Sequence, residues 1–95
     1  MRRAAKIDAN QPEVVAGLRK IGAVVTPLHR VGEGVSDLLV SFRQRWLVME
    51  VKDGSLPPSR RELTTDQKRW IAAQRAPVYV VNSPQDAIDI CMRIT

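Results

Sequence analysis

The chain is poor in the side chains that build disulfide frameworks and zinc sites. Cys91 is the only cysteine and His29 the only histidine among 95 residues, which excludes a disulfide framework and a Cys/His zinc cluster. Cys91 falls on the apolar stripe of a predicted C-terminal helix, so we expect it in the core. No apolar run is long enough for a membrane span, and Met1-Arg2-Arg3 precedes no signal-peptide core. We therefore expect a cytoplasmic protein with no membrane partner.

Positive charge is in excess. Fifteen Lys and Arg residues against ten Asp and Glu residues give a formal net charge of +5. Fourteen of the fifteen basic residues precede Ala76, so the charge is distributed unevenly along the chain. This asymmetry suggests a polyanionic partner, most simply nucleic acid, although a well-solvated basic surface explains the charge equally well.

Length and periodicity predict one α/β domain. The 95 residues have room for a single core, so we expect one domain over residues 1–95, with residues 1–9 flexible. The predicted elements in chain order are a helix (10–21), a strand (23–28), a two-stranded hairpin (37–52), a helix (64–74), a strand (77–82) and a helix from 83 onward. Each helix opens on a capping-box pattern. The order α-β-β-β-α-β-α fits a mixed central sheet flanked by helices.

Two of these elements carry more detailed expectations. The strand 77–82 contains no charged residue, which predicts an interior position in the sheet. The second helix is expected to bury Trp70 and Ile71.

The hairpin places charged residues in an apolar strand. Side chains alternate along a strand, so Glu50 and Lys52 share one face of its second strand. A turn centred on Arg43-Gln44 places Asp37 directly opposite Glu50. Buried charged groups are costly unless they are paired or bind something, so the pattern suggests a site.

Two facing carboxylates have a specific chemical requirement. Asp37 and Glu50 at cross-strand distance need a proton or a cation between them. Mg²⁺ takes carboxylate oxygens together with waters and substrate phosphates, so a metal site follows naturally. The alternative is that Asp37 ends a loop and that Glu50 and Lys52 form an exposed strand pair, but the apolar setting argues against it.

The ordered set of motifs resembles the PD-(D/E)XK nuclease superfamily, and within it the small stand-alone VRR-NUC branch. The motifs that carry the resemblance are Asn10-Gln11 with Glu13, Gly32 to Val40 around Asp37, Glu50-Val51-Lys52-Asp53-Gly54, and Leu63 to Gln67 followed by Trp70. They span most of the chain. Ser36 stands where the superfamily name has proline.

The resemblance implies a restriction-endonuclease-like core with a Mg²⁺ or Mn²⁺ site and a defined set of residues. The implied ligands are Asp37, Glu50, the carbonyl of Val51, and Glu13 directly or through water; Lys52 would lie beside the scissile phosphate, and Gln67 would project into the same pocket. Helix capping alone also explains Glu13 and Gln67, so both interpretations of these two residues stay open.

Seven basic residues are expected around the site elements as phosphate contacts: Arg30, Arg43, Arg45, Arg60, Arg61, Lys68 and Arg69. The predicted function is a metal-dependent endonuclease on DNA, and the resemblance suggests branched substrates such as four-way junctions, with a homodimer as the active species. The alternatives are a non-catalytic nucleic-acid-binding module that keeps the fold, and an RNA nuclease.

Overall fold

The computed structural model describes residues 7–94 as a four-stranded mixed sheet with three α-helices. In chain order the elements are α1 (Gln11–Lys20), β1 (Val24–Pro27), β2 (Leu38–Phe42), β3 (Arg45–Val51), a short 3-10 helix (Pro58–Arg60), α2 (Thr65–Ala73), β4 (Val78–Val81) and α3 (Pro84–Ile94). The strands lie in the order β1-β2-β3-β4. The first three are antiparallel, and β4 runs parallel to β3. The prediction of an α/β fold with a mixed sheet is confirmed.

The β2–β3 hairpin has the register that the sequence predicted. Leu38 lies opposite Met49 and the pairing continues to the turn, so Asp37 falls across from Glu50. The turn residues Arg43 and Gln44 have φ angles of 49° and 66°. Both are therefore left-handed, as a two-residue hairpin turn whose twist matches the strands requires. Neither residue is glycine, so the turn carries strain that the apolar pairing of the strands offsets.

Helices α1 and α3 cover one face of the sheet. The core contains Val14 and Leu18 of α1, Ala87 and Cys91 of α3, and alternate residues of all four strands. The prediction that Cys91 is a core residue is confirmed. This packing fixes the sheet rigidly from one side, so the groups that project at the strand ends are held in place.

The other side of the sheet is less covered than the sequence predicted. The uncharged strand β4 lies at the sheet edge, and not in its interior, because it pairs only with β3. The prediction that α2 buries Trp70 and Ile71 is also wrong, since both are half-buried and no residue of α2 is fully buried. The sequence pattern identified apolar residues correctly, but residues 7–94 do not cover them fully.

The expected side-chain cap of α1 is absent. Asn10 occupies the capping position but makes no capping hydrogen bond. Its amide Nδ2 donates instead to the carbonyl oxygens of Lys52 at 3.0 Å and Asn82 at 3.1 Å. Asn10 therefore ties the start of α1 to the chain segments that follow β3 and β4, and this long-range role replaces the local one.

The caps of α2 and α3 follow the sequence more closely. Thr64 and Gln67 form a complete capping box at α2. At α3 the hydroxyl of Ser83 accepts a hydrogen bond from the backbone N–H of Asp86, while the Asp86 carboxylate accepts from the N–H of Asn82. The third box is therefore half formed, because the acid reaches one residue further back than the pattern predicts.

The start of the described chain is anchored at Asp8. Its carboxylate accepts a hydrogen bond from the backbone N–H of Asp53 at 2.8 Å, and its carbonyl accepts from the N–H of Gln11. Of the segment 1–9 that was predicted to be flexible, residues 1–6 lie outside the described residues. Within residues 7–94, no helix is long and apolar enough to cross a membrane.

Candidate active site

A small group of polar residues is buried in an otherwise apolar interior. Among the described residues, the buried polar or charged side chains are Gln11, Ser36, Asp37, Glu50 and Lys52. Acidic and basic side chains are almost never fully buried unless they have partners. The three charged members are the ones that the sequence predicted as a site, and the structure brings them together at one end of β3.

Asp37 is fixed by a backbone hydrogen bond. Its Oδ2 accepts from the N–H of Val51 at 2.7 Å, a contact that is buried. A charge-assisted bond of this kind holds the carboxylate in one orientation across the hairpin. It also fixes the peptide group between Glu50 and Val51, which precedes the Val51 carbonyl that was predicted as a backbone ligand.

Glu50 is the most unusual residue of the site. It is 0% exposed, and neither of its carboxyl oxygens has a hydrogen-bond partner. Burial is the largest cause that raises its pKa from 4.5 to about 9, the neighbouring Asp37 carboxylate raises the pKa further, and Lys52 lowers it. The raised pKa favours the protonated form of the Glu50 carboxyl at neutral pH.

Lys52 is held by the side chain of Gln67. Lys52 Nζ donates to Gln67 Oε1 at 2.8 Å, and the same oxygen accepts from the backbone N–H of Thr64 at 2.9 Å. The capping role and the site contact that the sequence left as alternatives for Gln67 are thus both present. One oxygen atom couples the start of α2 to the buried lysine.

The N-terminus of α2 is seated against a glycine. Gly34 has a φ of 80°, and a Cβ atom at this position would overlap the carbonyl group of Asp66. This close approach brings Gln67 within reach of Lys52. The glycine is required here for space as well as for its backbone conformation.

The donor set fits a hard divalent cation, with few protein ligands. Asp37 and Glu50 offer carboxylate oxygens beside the Val51 peptide, and the Glu50 oxygens lack any competing partner. Mg²⁺ is commonly bound through one or two carboxylates plus waters and substrate phosphates. Residues 7–94 contain no group of three or more His, Cys, Asp or Glu side chains that could hold a metal ion.

Glu13 does not join the two carboxylates. It is exposed and lines a separate pocket, with a volume of about 400 Å³, together with Asn10, Asp53, Gly54, Ser55, Arg61, Asn82, Ser83 and Pro84. This pocket adjoins the site through the chain, because Asp53 directly follows Lys52. A direct metal contact from Glu13 is therefore not part of this geometry, and contact through water stays a prediction.

The predicted basic residues do not all cluster at the site. Arg43 follows Asp37 by six residues, and Arg45 pairs with Phe42, which follows Asp37 by five residues. Both arginines lie at the hairpin turn, roughly 17–20 Å from Asp37. These two arginines lie on the hairpin, at its opposite end from the carboxylates, and their role as phosphate contacts stays a prediction. Arg69 forms an exposed ion pair with Asp66 at 3.6 Å.

The other four predicted basic contacts differ in exposure. Arg61 is half-buried, lines the pocket beside the site, and has an Nε that is buried without a hydrogen-bond partner. Arg30, Arg60 and Lys68 are exposed. Arg61 is therefore the basic residue most closely associated with the site, and the remaining three are available at the surface.

Sequence reasoning missed Gln11 and Ser36 as members of the buried polar group. Gln11 is 4% exposed, and its Oε1 has no partner. A signal was present, because Gln11 continues the stripe of Val14 and Leu18 at helical spacing and is the only polar residue on it. Ser36 is fully buried with an unpartnered hydroxyl, and no periodic signal identifies it.

Comparisons with known proteins give no assignment. No protein-family model matches the chain. No curated protein and no solved structure matches it either.

Proposed function

We propose that this protein is a Mg²⁺- or Mn²⁺-dependent endonuclease that hydrolyses DNA phosphodiester bonds. The observation that carries the proposal is the Glu50 carboxyl, which is fully buried with no hydrogen-bond partner beside Asp37 and Lys52. An ionisable group kept in so unfavourable a place has a strongly perturbed pKa, which is typical of functional sites. The resemblance to the PD-(D/E)XK superfamily and its VRR-NUC branch supports the same assignment, with a restriction-endonuclease-like core.

Each residue of the site has a role in this proposal. Asp37 and Glu50 hold the cation, with the Val51 carbonyl as a backbone ligand and Glu13 acting only through water. The bound cation would lower the pKa of a water molecule and polarise a phosphoryl oxygen. Asp37 is oriented in advance by the Val51 N–H, whereas Glu50 would have to lose its proton when a cation binds.

Lys52 acts on the scissile phosphate. An ammonium group has three donors, and the contact with Gln67 uses one of them. The two others are free to bind a phosphate oxygen or the attacking water, which either stabilises the developing negative charge or orients the nucleophile. Gln67 is a positioning residue in this proposal, since it fixes Lys52 and does not itself need to touch the substrate.

DNA is the proposed substrate because the chain is strongly basic near the site. Arg61 lines the adjoining pocket, and Arg30, Arg60 and Lys68 are exposed. Such contacts bind phosphates and carry no sequence information directly. The resemblance extends the proposal to branched DNA such as four-way junctions, which a homodimer would cut in two strands.

One observation favours the second candidate, a non-catalytic nucleic-acid-binding module. The described residues provide only two acidic side chains at the site, without a third ligand. Such a module would bind DNA equally well with or without a divalent cation, and it would leave the DNA uncut.

A cleavage assay separates these candidates. The protein would be incubated with linear, flapped and four-way DNA in the presence of Mg²⁺, Mn²⁺ or EDTA. We expect cleavage with either metal and none in EDTA, and we expect Asp37→Asn to abolish cleavage while DNA binding persists. DNA that is bound but never cut with either metal would replace the nuclease proposal with the binding module.

A further inference from the structure

The sheet face that carries Glu50 and Lys52 also carries the most exposed large apolar side chain among the described residues, Trp46. Trp46 and Glu50 lie four residues apart on β3, so strand alternation places both side chains on the same face. Helices α1 and α3 cover the opposite face. We call the first face the site face, and its strand residues are Val24, Thr26, Leu39, Ser41, Trp46, Val48, Glu50, Val78 and Val80.

The two ends of the site face differ in burial and polarity. At one end Glu50 is fully buried, and Lys52 donates to Gln67 of α2. At the other end Trp46 is 73% exposed and Val24 is 66% exposed. Ser41 pairs with both Val24 and Trp46, so these three residues form one row across three strands. The site face therefore leads from the buried charged groups to an exposed aromatic side chain.

The row that contains Trp46 suits nucleobases better than phosphates. Its three side chains carry no charge, and a phosphate would lose water there without gaining a partner. A nucleobase presents a flat π-face that stacks on an aromatic side chain whatever the sequence. Bases inside a duplex already stack on their neighbours, so the base that Trp46 can reach is an unpaired one.

Basic residues lie beside this row, at the hairpin turn. Arg43 and Arg45 are both exposed. The guanidinium of Arg43 lies over the Phe42 ring, 4.9 Å from its centroid, which holds the charge at the turn. A nucleic-acid strand that crosses the end of the hairpin can therefore place phosphates at the two arginines and a base on Trp46. An aromatic side chain beside positive charge is the combination that single-strand-binding surfaces use.

We propose that Trp46 is a stacking platform for an unpaired nucleobase, and that the occupant of the site face is a single-stranded segment of the nucleic-acid substrate. The strand would continue from Trp46 along β3 towards Glu50 and Lys52. This continuation rests on the proposed nuclease function, whereas the stacking contact itself rests on the sheet register, the exposure of Trp46 and the charge at the turn.

The geometry of β3 sets the length of the single-stranded segment. Four residues at about 3.4 Å each separate Trp46 from Glu50 by roughly 14 Å. Successive nucleotides of a stacked strand rise about 3.4 Å, so the base on Trp46 lies about four nucleotides from the phosphate at the candidate site. A branched substrate would therefore need about four unpaired nucleotides to occupy both ends of the site face.

Fluorescence anisotropy with a labelled single-stranded DNA of about ten nucleotides, in EDTA, tests the platform without requiring cleavage. Trp46→Ala should weaken binding about fivefold or more, because it removes one stacked base. Trp46→Phe keeps an aromatic ring and should restore most of the affinity. Met92→Ala is the matched control, since Met92 is 44% exposed on α3, and it should bind like the wild type. Thermal unfolding should be unchanged in Trp46→Ala, because the side chain is exposed.

Two further measurements separate stacking from charge and from a structural role. An abasic strand of the same length keeps every phosphate, so it should bind the wild type and Trp46→Ala equally. Trp46→Ala should also leave the salt dependence of binding unchanged, whereas Arg43→Ala combined with Arg45→Ala should reduce its slope.

Wild-type affinity of Trp46→Ala for the base-containing strand, or an equal loss on the abasic strand, would overturn the proposal. Self-association that Trp46→Ala abolishes, with unchanged DNA affinity, would overturn it as well and would assign Trp46 to a contact between two copies of the chain. A protein that shows the expected binding differences but never cuts DNA would keep the platform and lose the nuclease. A protein that cuts DNA while Trp46→Ala binds normally would keep the nuclease and lose the platform.

Discussion

The Glu50 carboxyl links the candidate site to the stability of the whole protein. Its pKa is about 9 when folded and 4.5 when exposed to water, so between these values only the folded state holds the proton. Stability must therefore fall as pH rises through this window, by at most about 1.4 kcal/mol per pH unit for one proton. Below pH 4.5 both states are protonated, and the contribution is fully retained.

The prediction concerns metal-free protein in EDTA. Denaturant unfolding of the wild type should show a free energy of unfolding that declines between about pH 4.5 and pH 9 relative to that of Glu50→Gln. The variant is neutral at every pH, so its curve lacks this component. Parallel curves for the two proteins would mean that Glu50 is already ionised in the folded state.

A second prediction at residue scale separates the two roles of Gln67. Gln67→Ala and Thr64→Ala both break the capping box, and each should cost about 1 kcal/mol of stability. Only Gln67→Ala also removes the partner of Lys52. Single-turnover cleavage should slow about tenfold or more for Gln67→Ala and stay near wild type for Thr64→Ala. Equal rates would reduce Gln67 to a capping residue.

At the scale of elements, the hairpin turn offers a direct test of stored strain. Gln44 has a φ of 66°, which costs an L-residue roughly 1–2 kcal/mol compared with glycine. Gln44→Gly should therefore raise the free energy of unfolding by about 1 kcal/mol without changing cleavage, since the turn lies far from Asp37. A loss of stability would show that the Gln44 side chain makes a compensating contact.

The strands and helices also show which parts of the structure could be predicted from the sequence. The hairpin register follows from strand alternation and turn position, and these local rules place Asp37 opposite Glu50. The edge position of β4 could not be predicted from the sequence. An uncharged strand indicates that its residues are buried, but it does not indicate whether the covering atoms belong to the same chain. The capping interpretation of Asn10 failed for a similar reason, since its amide bonds to Lys52 and Asn82, distant residues that local patterns do not identify.

Part of the candidate site could also be predicted from the sequence. Asp37, Glu50 and Lys52 stood out because charge is rare in an apolar strand, and the structure buries all three. Glu13 carried no comparable signal, since an acidic residue in the first turn of a helix has a sufficient local explanation. A capping pattern does not specify how α1 is rotated about its own axis, so it could not predict that the Glu13 side chain is exposed.

At the scale of the whole molecule, charge should govern DNA binding. Affinity measured in EDTA should fall by about 0.9 log unit per log unit of salt for each phosphate contact. Arg60→Ala combined with Arg61→Ala should reduce this slope on short and long duplexes alike, because Arg61 lines the pocket beside the site. A slope close to zero for the wild type would argue against electrostatic binding.

The hairpin arginines provide the matched comparison. Arg43→Ala combined with Arg45→Ala removes the same charge from a point roughly 17–20 Å from Asp37. At 3.4 Å per base pair this distance corresponds to about five or six base pairs. The second pair of substitutions should therefore weaken binding only to duplexes that extend at least this far from the cleavage point. An equal effect on shorter duplexes would contradict the separation of the two basic regions.

The seat of α2 on Gly34 has a consequence for mutational tolerance. A Cβ atom at this position meets the Asp66 carbonyl group, whereas one at Gly22 meets nothing within 4 Å. If every amino acid is introduced at both positions and the library is selected for cleavage, position 34 should return glycine alone. Position 22 should also accept asparagine, which tolerates its φ of 96° better than other side chains. The contact between Gly34 and the N-terminus of α2 thus limits which residues can occupy position 34 while the hydrogen bond from Lys52 to Gln67 is kept.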